Sequence, residues 1–201
     1  MTKEVTVPEG HEVTEGHLTA AEEAVADLVD AAVDEEKVEA EIEALPPRAL
    51  VVTVSNRASA GVYADRGGPI LAEGLAELGF KVDGPQVVRD GEPVAEALLD
   101  AVAAGYDVVL TTGGTGLTPL DLTPEMTARV IEREIPGIAE AIRMRSMEKV
   151  PASVLSRGRA GLAGRTLVVN LPGSPGGCKD GMAVLAPVLR HAVDQIGGGD
   201  H

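Results

Sequence analysis

Residues Thr111 to Gly116 read TTGGTG, three glycines in four positions followed closely by polar and acidic residues. Such a run lets backbone N–H groups approach an anion with no side chain between them, while Thr111, Thr112 and Thr115 add hydroxyl donors. This is the chemistry of a phosphate or carboxylate cradle, with a tight structural turn as the competing reading. The run is neither GxGxxG nor a P-loop, because no Gly-Lys-Ser/Thr follows it, so dinucleotide binding and a standard NTPase are not supported. Just beyond it, LTPLDLTPEMT sets Asp121 and Thr123 ahead of a predicted helix, whose positive N-terminus would face the same anion. Asp90 in VVRDGE supplies a second carboxylate. Asp90 and Asp121 together suit Mg²⁺, a hard ion that takes oxygen ligands and keeps waters beside phosphates. Each has a plainer reading too, Asp90 as a helix cap and Asp121 as the residue that orders the turn at Pro119.

Arg57, Arg66, Arg157 and Lys179 are cations for substrate phosphates, ranked below the glycines because an Arg is more often a surface ion-pair partner. Cys178 follows two glycines at a predicted helix start, a place that lowers a thiol pKa, but it reads as structural because no histidine lies near it. The absence of His from the motifs argues against Ser/His or Cys/His nucleophilic catalysis.

These residues need a scaffold, and the pattern from residue 48 onward is strand, loop, helix, repeated. Ala49 to Val54 (ALVVTV), Lys81 to Val88, Tyr106 to Leu110 and Thr166 to Asn170 (TLVVN) read as strands, the first a continuous β-branched run of the kind buried on both faces of a parallel sheet. Helical spacing predicts a helix through Ile70, Leu71, Leu75 and Leu78, closed by Gly79, and further helices over 94–104, 123–134, 137–148 and 175–196. In the third of these, Thr123 is expected to cap and Pro124 to sit in the first turn. Alternating strands and helices imply an α/β fold, a three-layer α/β/α sandwich around a mostly parallel sheet. Four strands run into polar or glycine-rich turns, at Ser55, Arg89, Thr111 and Asn170. In a parallel sheet those ends share one edge, where open α/β folds bind ligands.

Composition narrows the function classes. The chain has 201 residues, 44% hydrophobic and 24% charged, with a formal net charge of −15. It has no apolar run of the length needed to cross a bilayer, so no membrane role is expected. One cysteine forms no internal disulfide, and the amino terminus lacks a secretory pattern, which points to a cytoplasmic location. The acidic balance and the near absence of aromatic residues disfavour nucleic acid as a partner. Residues 1–47 carry 14 acids against two lysines, net −12, which leaves −3 for residues 48–201. Pro46 and Pro47 mark the boundary, so residues 1–47 are expected to be an acidic N-terminal extension, helical or disordered, and 48–201 the working domain. In that extension Thr19 and Glu22 have capping-box spacing ahead of Val25, Leu28, Val29 and Ala32.

TVSNRASAGVYADRGGP (Thr53 to Pro69), VVRDGE, TTGGTGLTPLDLTPE, PGIAEAIR, LSR (Leu155 to Arg157) and NLPGSPGG (Asn170 to Gly177) resemble, in order, the molybdopterin adenylyltransferase family of molybdenum cofactor biosynthesis, the MogA/MoaB type. The resemblance implies a molybdopterin-binding-like fold and a homotrimer or a hexamer of two trimers. It also implies transfer of AMP from MgATP to molybdopterin with release of pyrophosphate, with ATP and molybdopterin as substrates, Mg²⁺ as metal and the molybdenum-inserting enzyme of the same pathway as a partner. It places functional acids at Asp90 and Asp121, both as metal ligands, and a further functional side chain at Ser156. Substrate contacts are expected from Thr53, Ser55, Asn56, Thr112, Gly113, Gly114, Thr115, Gly116, Pro172 and Gly173, and Asp65 matches another family position. Asn56 stands where the family often has Asp, and Leu120 where it often has Arg. A non-catalytic molybdopterin-binding or scaffold protein of the same fold is the alternative. No general base is needed for adenylyl transfer, because a phosphate monoester is largely dianionic at neutral pH.

Overall fold

The computed structural model describes residues 45–59, 61 and 64–199. The expected acidic extension, including its Thr19 and Glu22 spacing, falls on residues 1–44 and lies outside the described residues, apart from Leu45, Pro46 and Pro47.

Six strands form one sheet: β1 (Arg48–Val54), β2 (Lys81–Val88), β3 (Val108–Thr112), β4 (Arg133–Glu134), β5 (Ala160–Ala163) and β6 (Thr166–Leu171). Their spatial order is β2-β1-β3-β6-β5-β4. The first four in that order run parallel, while β5 is antiparallel to β6 and β4 to β5. Helices α1 (Gly68–Glu77), α2 (Glu92–Ala103), α3 (Thr123–Ala128), α4 (Pro136–Met147), α5 (Pro175–Leu185) and α6 (Leu189–Gly197) flank it, with a 3₁₀ turn at Pro151–Leu155.

Successive strand residues point to opposite faces, so the continuous apolar runs feed two separate cores. Ala49, Val51, Leu110, Val169 and Leu171 pack with Leu71 and Leu75 of α1, Ile142 of α4, Leu185 of α5 and Leu189 of α6. Leu50, Val52, Val54, Val109 and Val168 pack with Val94 and Leu98 of α2 on the other face. The sheet is thus mostly parallel and covered on both sides.

The chain leaves β1 toward β2 on one side and returns through α2 to β3 on the other, so strand order reverses between β1 and β3. A crevice opens beyond the carboxyl ends of two parallel strands that diverge in this way.

The predicted 123–134 helix is shorter than expected. It ends at Ala128, after which Glu132 N–H donates to Leu162 O at 2.7 Å and Ile135 N–H to Ala160 O at 2.8 Å. Pairing of Arg133 and Glu134 with β5 takes these residues out of the helix, and Pro136 keeps Ile135 out of helical geometry (φ −122°, ψ 75°). The predicted 175–196 helix is interrupted because Pro187 has no N–H to donate, and it becomes α5 and α6. The β2 strand carries a shift of register near Gly84 and Pro85, opposite Leu50 to Val52. As β2 is an edge strand, Pro85 breaks no ladder on its outer side.

Candidate functional site

The site is assembled from the ends of β1, β3 and β6, which lie in register. Thr53 pairs with Thr112, and Thr112 with Leu171. Beyond them a cavity of about 250 Å³ is lined by Thr53, Ser55, Asp65, Thr112 and Gly173, with Arg57 and Arg66 on its wall. Thr53 Oγ1 donates to Asp65 Oδ2 at 2.8 Å, and Asp65 Oδ1 accepts the N–H groups of Gly67 and Gly68, each at 3.0 Å. Asp65 therefore ties the start of α1 to the end of β1. Ser55 Oγ accepts Ala58 N–H at 3.1 Å and shapes the turn that carries Asn56 and Arg57. Thr112 Oγ1 donates to Pro172 O at 2.9 Å, joining the ends of β3 and β6. Cys178 lies beneath, its Sγ 3.2 Å from Thr112 Oγ1. It has no exposed surface, and burial pushes its thiol pKa up, so it is the structural residue the sequence suggested.

The glycine loop leaves β3 beside this cavity. Gly113 N–H continues the ladder to Leu171 O at 3.1 Å, while the amides of Gly114, Thr115 and Gly116 donate to no acceptor among the described residues. Gly114 has φ +64°, and a side chain there would run into Asp90 and Thr123 Oγ1. The loop is thus the tight turn that was one reading of TTGGTG, and its three N–H donors leave the anion cradle as a role it could serve.

Both carboxylates border that loop. Asp90 Oδ1 accepts Gly91 N–H at 2.8 Å, Leu122 N–H at 3.2 Å and Thr123 Oγ1 at 3.3 Å. Asp121 Oδ2 accepts the N–H of Thr118 at 2.9 Å and its hydroxyl at 2.7 Å, the turn-forming role foreseen for it. Asp90 Oδ2 and Asp121 Oδ1 have no hydrogen-bond partner among the described residues, and neither acid makes an ion pair there. Burial raises the Asp90 pKa above the usual carboxylate value, with the Asp121 charge adding to the rise against the opposing hydrogen bonds. Asp90 and Asp121, which border the same glycine loop, are the carboxylates that could hold a hard divalent ion. The described residues contain no group of three or more His, Cys, Asp or Glu at metal-binding separation, so such an ion would keep most of its coordination for water and phosphate oxygens, as Mg²⁺ does.

Both expected helix caps are revised. Thr123 does not cap α3. Leu122 occupies the cap position without a side-chain bond, and the Thr123 hydroxyl turns to Asp90. At six residues α3 is also too short to lend much dipole. Asp90 is no cap either, since Gly91 precedes α2 and has no side chain; it ties three backbone and side-chain donors from two loops. Ser156 is not among the residues lining the 250 Å³ cavity. It borders a second, more open recess of about 420 Å³ with Arg143, Arg157, Arg159 and Glu134. Lys179 is exposed on α5 and lines neither recess.

Two residues gain roles that the sequence did not signal. Asn170, buried at the end of β6, donates from Nδ2 to Thr111 Oγ1 at 3.0 Å and to Thr127 Oγ1 at 2.9 Å, and accepts Arg159 N–H at 3.1 Å. It staples β3, β6, α3 and the segment after Ser156 together, and only its polarity inside a strand run could have flagged it. Arg157, noted as a cation for substrate phosphates, is also engaged with the glycine loop.

Parallel strands with helices on both faces, a reversal of strand order, and a glycine-lined crevice at that reversal define a ligand-binding α/β domain. Residues 50–191 match the family described as "Probable molybdopterin binding domain", and the chain belongs to this family. The molybdopterin adenylyltransferase of Helicobacter pylori is 37% identical over 155 residues, which cover 74% of this chain and 86% of that one. A solved structure of MogA is 60% identical, with a TM-score of 0.73 over 74% of this chain and 99% of that one. The molybdopterin biosynthesis Mog protein from Mycobacterium ulcerans is 52% identical, with a TM-score of 0.74 over 77% and 99%. Among the described residues no helix is long and apolar enough to cross a membrane.

Proposed function

We propose that this chain is a molybdopterin adenylyltransferase of molybdenum cofactor biosynthesis, taking ATP and molybdopterin to adenylyl-molybdopterin and pyrophosphate. The observation that carries this reading is the glycine loop with three N–H groups uncommitted among the described residues, between two carboxylates that each keep one oxygen uncommitted there.

A terminal phosphate oxygen of the pterin forms a bond to the α-phosphorus of ATP as the bond from that phosphorus to pyrophosphate breaks. The attacking phosphate is already deprotonated, so the protein has to align two anions and stabilise developing charge. The amides of Gly114, Thr115 and Gly116 supply donors to phosphate oxygens. Thr53, Ser55, Thr112 and Gly173 line the cavity that would take the pterin, Pro172 borders it only through its carbonyl, which accepts from Thr112, and Arg57 and Arg66 on its wall offset substrate charge. Asn56 holds the Asp90 loop, and Ser156 faces the adjoining recess. Asp90 and Asp121 would hold Mg²⁺, which neutralises charge on the phosphates as pyrophosphate leaves. The working body is residues 48–201, assembled as a homotrimer or a pair of trimers, with the acidic segment as an appendage and the molybdenum-inserting enzyme as the recipient of product.

The test is incubation of the purified protein with molybdopterin, ATP and Mg²⁺ while pyrophosphate is followed. Stoichiometric pyrophosphate and adenylyl-molybdopterin are expected. Pterin binding with no pyrophosphate above background would replace this reading with the scaffold reading, which the exposed, uncharged Leu120 beside Asp121 favours.

A further inference from the structure

Arg157 meets the glycine loop and the residues after it at four points. Its backbone N–H donates to Thr115 O at 2.9 Å, its Nε to Gly116 O at 2.8 Å and its Nη2 to Asp121 O at 2.5 Å, while Nη1 pairs with Glu125. Three of the four partners are main-chain carbonyls spread over seven residues, and the fourth is in the first turn of α3. The peptide unit is planar and trans, so fixing a carbonyl also fixes the N–H of the next residue on the opposite side. Holding Thr115 O and Gly116 O toward Arg157 therefore directs the amides of Gly116 and Leu117 away from it. Holding Asp121 O fixes the main chain that carries one of the two site carboxylates. Glu125 matches the guanidinium charge.

We propose that Arg157 is a positioning residue for adenylyl transfer, a strap that holds the glycine loop and Asp121 in one frame so that N–H donors and carboxylate keep their mutual placement. This rests on the proposed activity. The task is geometric: the planar fork reaches separated acceptors at once, which a lysine ammonium cannot do. The same residue adjoins Ser156, so the strap also couples the turn after the 3₁₀ segment to the loop. A displacement of about 1 Å at a reacting group costs on the order of 10²-fold in rate.

The experiment joins amide hydrogen exchange with kinetics on the full chain. In the wild-type protein the amides of Arg157, Thr118, Asp121 and Thr123, all bonded within this frame, are expected to open together at one rate. Arg157→Lys should speed exchange at Thr118, Asp121 and Thr123 at least 10-fold and lower kcat roughly 10- to 100-fold, with KM for molybdopterin changed less than about 3-fold and an unchanged melting temperature. Glu125→Gln, which leaves the three carbonyl contacts, should stay close to wild type in both measures. Independent opening of these amides in the wild-type protein overturns the proposal whether or not the variant folds. So does Arg157→Lys with wild-type exchange, or Glu125→Gln with an equal loss. Absent turnover in the wild-type protein refutes the activity instead, and the exchange measurements still judge the strap.

Discussion

The side-chain carbonyl of Asn56 accepts the backbone N–H of Asp90 at 3.1 Å, joining the turn after β1 to the loop after β2. A carboxylate at this position would accept the same bond, so asparagine here keeps the tie and gives up only the charge. Asn56→Asp should therefore preserve loop order and keep turnover within a few-fold. Asn56→Ala removes an acceptor worth about 1 kcal/mol and should lower kcat roughly 5-fold. Steady-state pyrophosphate release from the two variants checks both.

Asp121 bonds Thr118 through one oxygen, and the other has no partner among the described residues. Asparagine can serve the turn and cannot serve a hard cation as well. Asp121→Asn is expected to keep its melting temperature and its molybdopterin affinity while losing adenylyl transfer by about 10²-fold. Titration with Mg²⁺ should recover part of that loss where weakened metal affinity is the cause. Near-normal transfer in the variant would remove Asp121 from the metal site.

Burial, with the Asp121 charge behind it, holds the Asp90 pKa above the ordinary carboxylate value. The folded protein then binds this proton more tightly than the unfolded chain does. The resulting stability is present below the unfolded value of about 3.9 and is lost as pH rises through the folded value. At neutral pH the charged Asp90 is a cost, and Asp90→Asn should raise the melting temperature there, with the gap to wild type closing toward pH 4. Thermal melts across pH 3.5 to 8 read this directly.

Gly114 and Gly137 should respond oppositely to alanine. At Gly114 the backbone is left-handed and the new methyl meets Asp90 and Thr123, so Gly114→Ala should cost about 1–3 kcal/mol and disturb the site. At Gly137, in the first turn of α4, nothing lies within 4 Å of the added carbon. Gly137→Ala should gain about 0.4–1 kcal/mol by restricting the unfolded chain. Denaturant midpoints of the two variants give the comparison.

The scaffold was largely legible because strands covered on both faces must be continuous apolar runs, as ALVVTV, VVL and TLVVN are. The crevice was legible for a related reason, since each run stops at polar or glycine residues on the same edge. Strand β5 was hidden because Ala160 to Ala163 holds no β-branched residue, and its pairing with Arg133 and Glu134 overrode the helical spacing of 123–134. Pro187 was visible in the sequence, yet its effect was outweighed there by the apolar spacing on either side. The contacts of Arg157 with Gly116 and Asp121 span 41 and 36 residues of sequence. Local spacing carries no trace of such pairs, which exist only once β3 and the segment before β5 have been brought side by side.

The two borders of the sheet bear on solubility. An open sheet ends in rows of unpaired N–H and C=O groups on which a foreign chain can grow. On one side the outermost strand, β4, is two residues long, and both Arg133 and Glu134 are exposed. On the other, β2 begins with exposed Lys81 and is broken by Gly84 and Pro85, where the hydrogen-bond pattern slips. Neither border offers a long, flat, apolar template. Growth of a foreign strand on either described border is therefore expected to require that β2 or β4 first leave the sheet.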